Sequence, residues 1–204
     1  MDKAATKLHH ADESFQPEHF SFSEENFITA QAHIAKYPEG KQQSAVMPLL
    51  TLAQKQNNNW LPTAAMDVVA KMLGMPPIRV YEVATFYSMY NLKPVGEHHV
   101  QVCTTTPCWL RGSEDVMNAC KKKLGVGNGG TTADGKFTLQ EVECLGACVN
   151  APMIQVTSHD GRDEYYEDLT AEGMEQLLNA LEIGVEIQPG PQSGRQSSEP
   201  MEAK

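Results

Sequence analysis

Val100-Gln101-Val102-Cys103-Thr104-Thr105-Thr106-Pro107-Cys108 marks the point where the chain changes period. Before it, apolar residues recur at helical spacing; from Val100 they alternate. Val100 and Val102 share one side of a short strand that ends at Cys103. A loop to Gly112 then leads into a helix N-capped by Ser113, with Glu114 and Asp115 at its positive end and Lys121 to Lys123 at its negative end. Phe137 and Leu139 mark a second strand, which runs into Cys144-Leu145-Gly146-Ala147-Cys148. Met153, Ile154 and Val156 mark a third, and Asp160-Gly161 turns the chain toward a fourth at Tyr165-Tyr166. Thr170 caps a last helix, buried through Met174, Leu177, Leu178 and Leu181. Strand, helix, three strands and helix predict a small α/β domain with a mixed sheet of four strands.

Upstream the pattern is helical. Ser21-Phe22-Ser23-Glu24 offers a capping box, followed by Phe27, Ala30, Ile34 and Tyr37 on one face and stopped by Pro38 and Gly40. Val46, Leu49, Leu50 and Ala53 form a second stripe, with Pro48 near its start. Met66, Val69, Ala70 and Leu73 form a third, closed by Gly74. Pro76-Pro77 opens a fourth through Val80, Val83, Ala84 and Tyr87, although Val, Tyr and Phe also favour strands. Tyr81, Phe86, Tyr87 and Tyr90 are more aromatics than a small bundle needs and point to an interface. Residues 1–20 lack periodicity and read as an extended arm. From Gly184 on, Gly, Pro, Gln and Ser dominate, which predicts an extended tail ordered by a partner.

Composition excludes several classes. Asp plus Glu number 26 against 16 for Lys plus Arg, a net charge of -10, so the chain lacks the cationic face that nucleic acid or an anionic membrane requires. The best apolar run, Ala45 to Ala53, falls far short of the ~18 residues of a membrane span. No apolar stretch follows Met1-Asp2-Lys3 and the first arginine is Arg79, a pattern unlike a secretory or transit peptide. The expectation is a chain that never crosses a membrane, or a processed form, in a reducing compartment. Gly125-Val126-Gly127-Asn128-Gly129-Gly130 matches the glycines of a dinucleotide site, but a helix precedes it and a turn follows it. It is therefore a loop, and the chain carries no nucleotide site of its own.

Four of the five cysteines form two close pairs, Cys103/Cys108 and Cys144/Cys148, with thirty-five residues between them. Each pair follows a predicted strand, where a sheet holds a loop rigidly. Two thiolates four or five residues apart can wrap one iron, so two such pairs supply the four thiolates of a [2Fe–2S] cluster. Gly146 permits a tight turn and Pro107 restricts the approach to Cys108. A structural zinc site also uses four cysteines, and spacing alone does not choose between the two. Disulfides fit a reducing compartment poorly, and a thioredoxin dithiol wants two intervening residues. Cys120 lies on a helix face with Val116 and Leu124 and reads as core. His98 and His99 are not needed to complete a ligand set of four. Glu141 and Glu143 flank the second pair, and Arg111 is the one cation close in sequence to the first. That balance predicts a low-potential one-electron site if iron is held.

Tyr37-Pro38-Glu39-Gly40, Val80-Tyr81-Glu82-Val83-Ala84-Thr85-Phe86-Tyr87, the Cys103/Cys108 pair and Glu143-Cys144-Leu145-Gly146-Ala147-Cys148-Val149-Asn150-Ala151-Pro152 together resemble the thioredoxin-like [2Fe–2S] subunit of respiratory complex I. Relatives of that family also serve NAD-linked hydrogenases and formate dehydrogenases. The resemblance implies an α+β or α/β architecture: a helical bundle over 21–93, then a thioredoxin-like domain with a mixed four-stranded sheet over 94–183, and a tail over 184–204. It implies one [2Fe–2S] cluster on Cys103, Cys108, Cys144 and Cys148. The implied partner is a flavoprotein subunit that binds FMN and NADH and holds an iron–sulfur cluster of its own, alongside other peripheral-arm subunits. Pro189 to Arg195 resembles the tail of mitochondrial members and implies the matrix side of the inner membrane. A bacterial protein at the cytoplasmic face of the plasma membrane is the alternative location. A zinc-stabilised interaction module without redox activity is the alternative function.

Overall fold

The structure, a computed structural model, describes residues 15–200. It divides into two compact units between Pro94 and Val95.

Among the described residues the first unit contains four α-helices: α1 (Glu24–Ile34), α2 (Val46–Gln56), α3 (Thr63–Leu73) and α4 (Pro77–Phe86). Their apolar stripes meet in one core through Ala30, Leu49, Leu50, Met66, Val69, Val80 and Ala84. Ser23, not Ser21, caps α1, accepting from Asn26 N at 3.2 Å. Ser21 is instead held by Gln56, whose side-chain amide donates to its carbonyl at 2.8 Å. Pro48 sits in the first turn of α2, where its missing N–H has no helical partner to lose. Gly74, at φ 61°, closes α3 in the left-handed conformation, and Met75 N returns to Ala70 O at 2.9 Å. Helical periodicity outweighs β-propensity in α4, because Val80 and Ala84 both reach the core. Tyr90 departs from the interface expectation: it is buried, and its hydroxyl donates to Met47 O at 3.0 Å. Phe86, 80% exposed, does remain at the surface.

The second unit is an α/β domain of β1 (His98–Cys103), α5 (Thr106–Leu110), α6 (Ser113–Leu124), β2 (Gly130–Thr131), β3 (Phe137–Val142), β4 (Ile154–Ser158), β5 (Asp163–Glu167), α7 (Ala171–Glu182) and β6 (Gly190–Pro191). Its sheet has six strands rather than the expected four, in the order β2-β3-β1-β4-β5-β6. The four expected strands form its centre, and two-residue strands extend each edge. β1 runs parallel to β3 and antiparallel to β4, with Cys103 opposite Val142 and Val102 opposite Ile154. Val100, Val102, Leu139, Ile154 and Val156 pack with α6 and α7 through Val116, Met117, Cys120, Met174, Leu177 and Leu178. Cys120 is therefore a core residue.

Other local features differ from the sequence reading. Gly112, at φ 94°, is the N-cap of α6, and Ser113 is its first helical residue. The stretch read as a loop before Gly112 contains the short helix α5, with Pro107 in its first turn. β3 ends at Val142, two residues short of Cys144. The tail is ordered by its own domain: Gly190–Pro191 pairs with Tyr166–Glu167 of β5. The arm residues 1–14 lie outside the described residues.

On the side of β1 opposite Val100 and Val102, His99 is fully buried; its Nε2 meets Gln140 Oε1 at 2.7 Å and its Nδ1 meets Gln101 Nε2 at 3.2 Å. Burial lowers its pKa to about 4 from the ordinary 6.5, against a smaller opposing effect of the Gln140 hydrogen bond. The unfolded chain binds a proton at His99 below 6.5, whereas the folded chain does not until about 4. Unfolding therefore takes up a proton in that window, and stability falls as pH falls through it. Between pH 7 and 5, urea unfolding of the metal-free protein should lose of order 1–2 kcal/mol more in the wild type than in His99→Gln. Equal losses would show that His99 is not the group responsible.

Candidate metal centre

Both cysteine pairs leave the sheet at one end. β1 and β3 are parallel, so the loop after Cys103 and the loop after Val142 emerge side by side, tied by Thr104 N donating to Val142 O at 3.3 Å. β4 runs the other way and begins at this same end, where Cys103 N donates to Met153 O at 3.3 Å. Cys103, Cys108, Ala151 and Met153 thus form a small buried cluster, with Leu145, Ala147 and Tyr165 packed against it.

The first pair is rigid and enclosed. α5 carries Cys108, and Trp109 N donates to Thr105 O at 2.9 Å. Thr105 Oγ1 lies 3.3 Å from Cys103 Sγ. Burial pushes the Cys108 thiol up to about 12, and its hydrogen bond with Cys103 acts in the same direction. The second pair is exposed and lies on a tight loop. Gly146 adopts φ +91°, a left-handed conformation that side chains with a Cβ rarely take. Tyr165 Oη donates to Leu145 O at 2.9 Å and fixes the loop from β5. A 3₁₀ turn over Cys148–Asn150 follows, with Asn150 N donating to Ala147 O at 3.1 Å.

Cys144 Sγ and Cys148 Sγ are 3.3 Å apart. Their hydrogen bond lowers the Cys144 thiol and raises the Cys148 thiol. The pairs also feel one another: charge on Cys148 raises Cys108, and charge on Cys103 raises Cys148. Among the described residues, no three His, Cys, Asp or Glu side chains converge on a single metal ion. The donors therefore stand as two neighbouring pairs.

The remaining residues singled out in the sequence divide cleanly. His98 Nδ1 engages Ser158 Oγ at 2.9 Å, and with His99 it belongs to the sheet. Gly125 to Gly130 is the expected loop, in which Gly129 N donates to Leu139 O at 2.7 Å. Arg111 Nε reaches Ala151 O at 3.5 Å, linking the end of α5 to the segment after the second pair. Glu141 accepts from Thr104 Oγ1 at 2.7 Å, so its carboxylate is held beside the first pair rather than the second. Sequence reasoning missed Thr105 and Tyr165. The run Thr104-Thr105-Thr106 was the available signal for hydroxyl donors near sulfur, whereas nothing local marks Tyr165.

A family model described as thioredoxin-like [2Fe-2S] ferredoxin matches residues 30–182. The chain belongs to this family. It is 57% identical over 162 residues to a NADH-quinone oxidoreductase subunit from Rickettsia bellii (strain RML369-C), covering 79% of this chain and 94% of that protein. It is 48% identical over 185 residues to the mitochondrial NADH dehydrogenase [ubiquinone] flavoprotein 2 of Dictyostelium discoideum, covering 91% of this chain and 73% of that protein. A chain of an NAD+-reducing [NiFe]-hydrogenase in the H2-reduced state aligns with a TM-score of 0.55 at 19% identity, over 68% of this chain and 23% of that chain. This last likeness is one of fold.

Exposure predicts the order of thiol reactivity in the folded, metal-free protein. Under brief alkylation read by mass spectrometry, Cys144 and Cys148 should label first, and the buried Cys103, Cys108 and Cys120 only on unfolding. Labelling of Cys103 as fast as Cys144 would contradict the enclosed first pair.

Proposed function

We propose that Cys103, Cys108, Cys144 and Cys148 hold one [2Fe–2S] cluster, and that the chain is the electron-transfer subunit of the NADH dehydrogenase module of respiratory complex I. The observation that carries this is the pair of cysteine loops leaving adjacent parallel strands at one sheet end, within a family of [2Fe-2S] ferredoxins. Four thiols in two pairs suit two irons, one per pair, better than one tetrahedral ion. When bound, such a cluster accepts and returns single electrons.

The chain's own residues have distinct parts in this reading. β1, β3 and α5 hold the first pair away from water. The Thr105 hydroxyl supplies a hydrogen-bond donor to sulfur, and the space at Gly146 leaves the second loop free of a Cβ. Trp109, Leu110 and Val149, each more than half exposed, surround the pairs with apolar surface suited to a protein partner. That partner is the flavoprotein subunit carrying FMN, NADH and its own iron–sulfur cluster, within a peripheral arm of further subunits. Nicotinamide chemistry belongs to the partner, because the glycine-rich loop of this chain does not open a helix.

Among the described residues no helix is long and apolar enough to cross a membrane, which suits a peripheral subunit. The mitochondrial relative aligns over 91% of this chain and the rickettsial one over 79%. The reading places the chain on the matrix side of the inner membrane, on the resemblance of Pro189 to Arg195 to the tail of mitochondrial members, with the bacterial cytoplasmic face as the alternative.

Anaerobically purified chain should contain about two irons and two labile sulfides and give a red-brown spectrum with a reduced-state EPR signal. A colourless chain with one zinc would establish the interaction-module reading instead. Removing the negative charge near Cys144 by Glu143→Gln should raise the midpoint potential in a redox titration, since reduction adds negative charge beside it. An unchanged or lower midpoint would remove the electrostatic argument.

A further inference from the structure

The tail carries a charged group buried far more deeply than its composition suggests. Gly190 and Gly194, at φ +98° and +82°, turn residues 190–200 back over β5. Arg195 then forms a bidentate pair with Asp168: Nε to Oδ2 and Nη2 to Oδ1, both at 2.6 Å. The two side chains are only 11% and 4% exposed. A buried ion pair is costly unless its remaining donors and acceptors are satisfied. Most of them are here: Arg195 Nη1 donates to Glu199 O at 2.9 Å, and Ser193 Oγ donates to Asp168 Oδ2 at 2.8 Å. The guanidinium also has a donor left for a further contact, and Nη2 gives it to Val149 O at 3.2 Å. Val149 is the residue after Cys148.

Two more contacts converge on the same turn. Asn150 Nδ2 donates to Ser197 O at 3.0 Å and to Glu167 Oε2. Asp168, at φ 53°, donates its own N–H to Asn150 O at 2.8 Å. The 3₁₀ turn over Cys148–Asn150 is therefore gripped by the tail on one side and the β5–α7 connection on the other. Its internal backbone bonds are few, Asn150 N to Ala147 O and Ala151 N to Cys148 O.

We infer that the tail is a strap, with Arg195 and Asp168 as positioning residues that hold the Cys148 turn in place for cluster binding. The inference rests on the ligand assignment proposed above and concerns residues outside that ligand set. Arginine is required because one planar fork reaches both Asp168 oxygens and the Val149 carbonyl; lysine can keep the charge pair but not all three contacts.

The test uses the full chain loaded with iron and sulfide, challenged with an iron chelator well below its unfolding temperature. Arg195→Met should lose its visible absorbance roughly tenfold faster than the wild type, as expected for loss of one charge-assisted hydrogen bond to the turn. Arg195→Lys should fall between the two. Asp168→Asn keeps the left-handed backbone and should resemble Arg195→Met, with the double variant no worse than either single one. Arg162→Met, which breaks exposed pairs with Asp160, Glu164 and Glu186 outside residues 190–200, should match the wild type. The reduced EPR signal should broaden in Arg195→Met but not in Arg162→Met, and amide exchange of metal-free Arg195→Met should rise at 148–151 but not in β1. Wild-type release and an unaltered signal in Arg195→Met, or equal acceleration in Arg162→Met, would overturn the strap. If Arg195→Met does not fold, wild-type release by Arg195→Lys overturns it. A wild-type chain that takes up no iron would overturn the ligand assignment instead, and amide exchange would then decide the strap.

Discussion

β1 lies between a parallel neighbour and an antiparallel one, and the cysteine centre depends on that mixed pairing. Were these neighbours β1 and β3 antiparallel, the loops that follow them would leave opposite ends of the sheet. The parallel β1–β3 register brings Cys103 opposite Val142, so both cysteine loops start at the same edge. The antiparallel β4 adds Met153 at that edge, closing a small apolar floor under Cys103 and Cys108. A parallel pair requires a crossover, and α5 and α6 supply it. The crossover thus begins with α5, the helix that presents Cys108.

This construction makes the two pairs unequal. The first is fixed by backbone hydrogen bonds and enclosed, so the Cys108 thiol stays protonated in the metal-free fold. The second sits on a short exposed loop shaped by Gly146 and held from outside by Tyr165 and the tail. Binding a metal at thiolates releases protons and couples affinity to pH and to folding. Cys108, whose thiol burial pushes up, bears part of that proton cost, and the exposed pair bears the cost of ordering. A strap on the Cys148 turn acts on the second of these.

Elements with strong periodicity were legible in the sequence. Alternation located β1, β3 and β4, the Asp160-Gly161 turn led to β5, helical stripes located α1 to α4 and α7, and cap and terminal charges located α6. β2 and β6 were invisible because two residues carry no period, and α5 because one turn between two cysteines looks like a loop. The caps of α1 and α6 shifted because several Ser and Gly candidates stand together, and tertiary contacts such as Gln56 on Ser21 choose among them. The two cysteine pairs and the strands that precede them were legible from spacing and alternation. Their supports were not, since Tyr165, Asp168 and Arg195 are distant in sequence from the sulfurs they serve. The tail read as extended because composition reports the lack of a core, not the presence of one well-satisfied arginine.

Charge around the site is more local than the net value of -10 implies. Exposed charges farther away than about 8–10 Å are screened at physiological ionic strength, so most of the surplus carboxylates have little influence on the sulfurs. Sequence proximity assigned Glu141 and Glu143 together to the second pair. The structure separates them: Glu141 is fixed by Thr104, one residue from Cys103, while Glu143 adjoins Cys144. Each pair therefore has one acidic neighbour. Arg195, the cation nearest Cys148 along the tail, has its charge matched by Asp168 and adds little net field. If the sulfurs hold the proposed cluster, Glu141 and Glu143 disfavour an added electron there, and Arg111 at the end of α5 is the cation set against them.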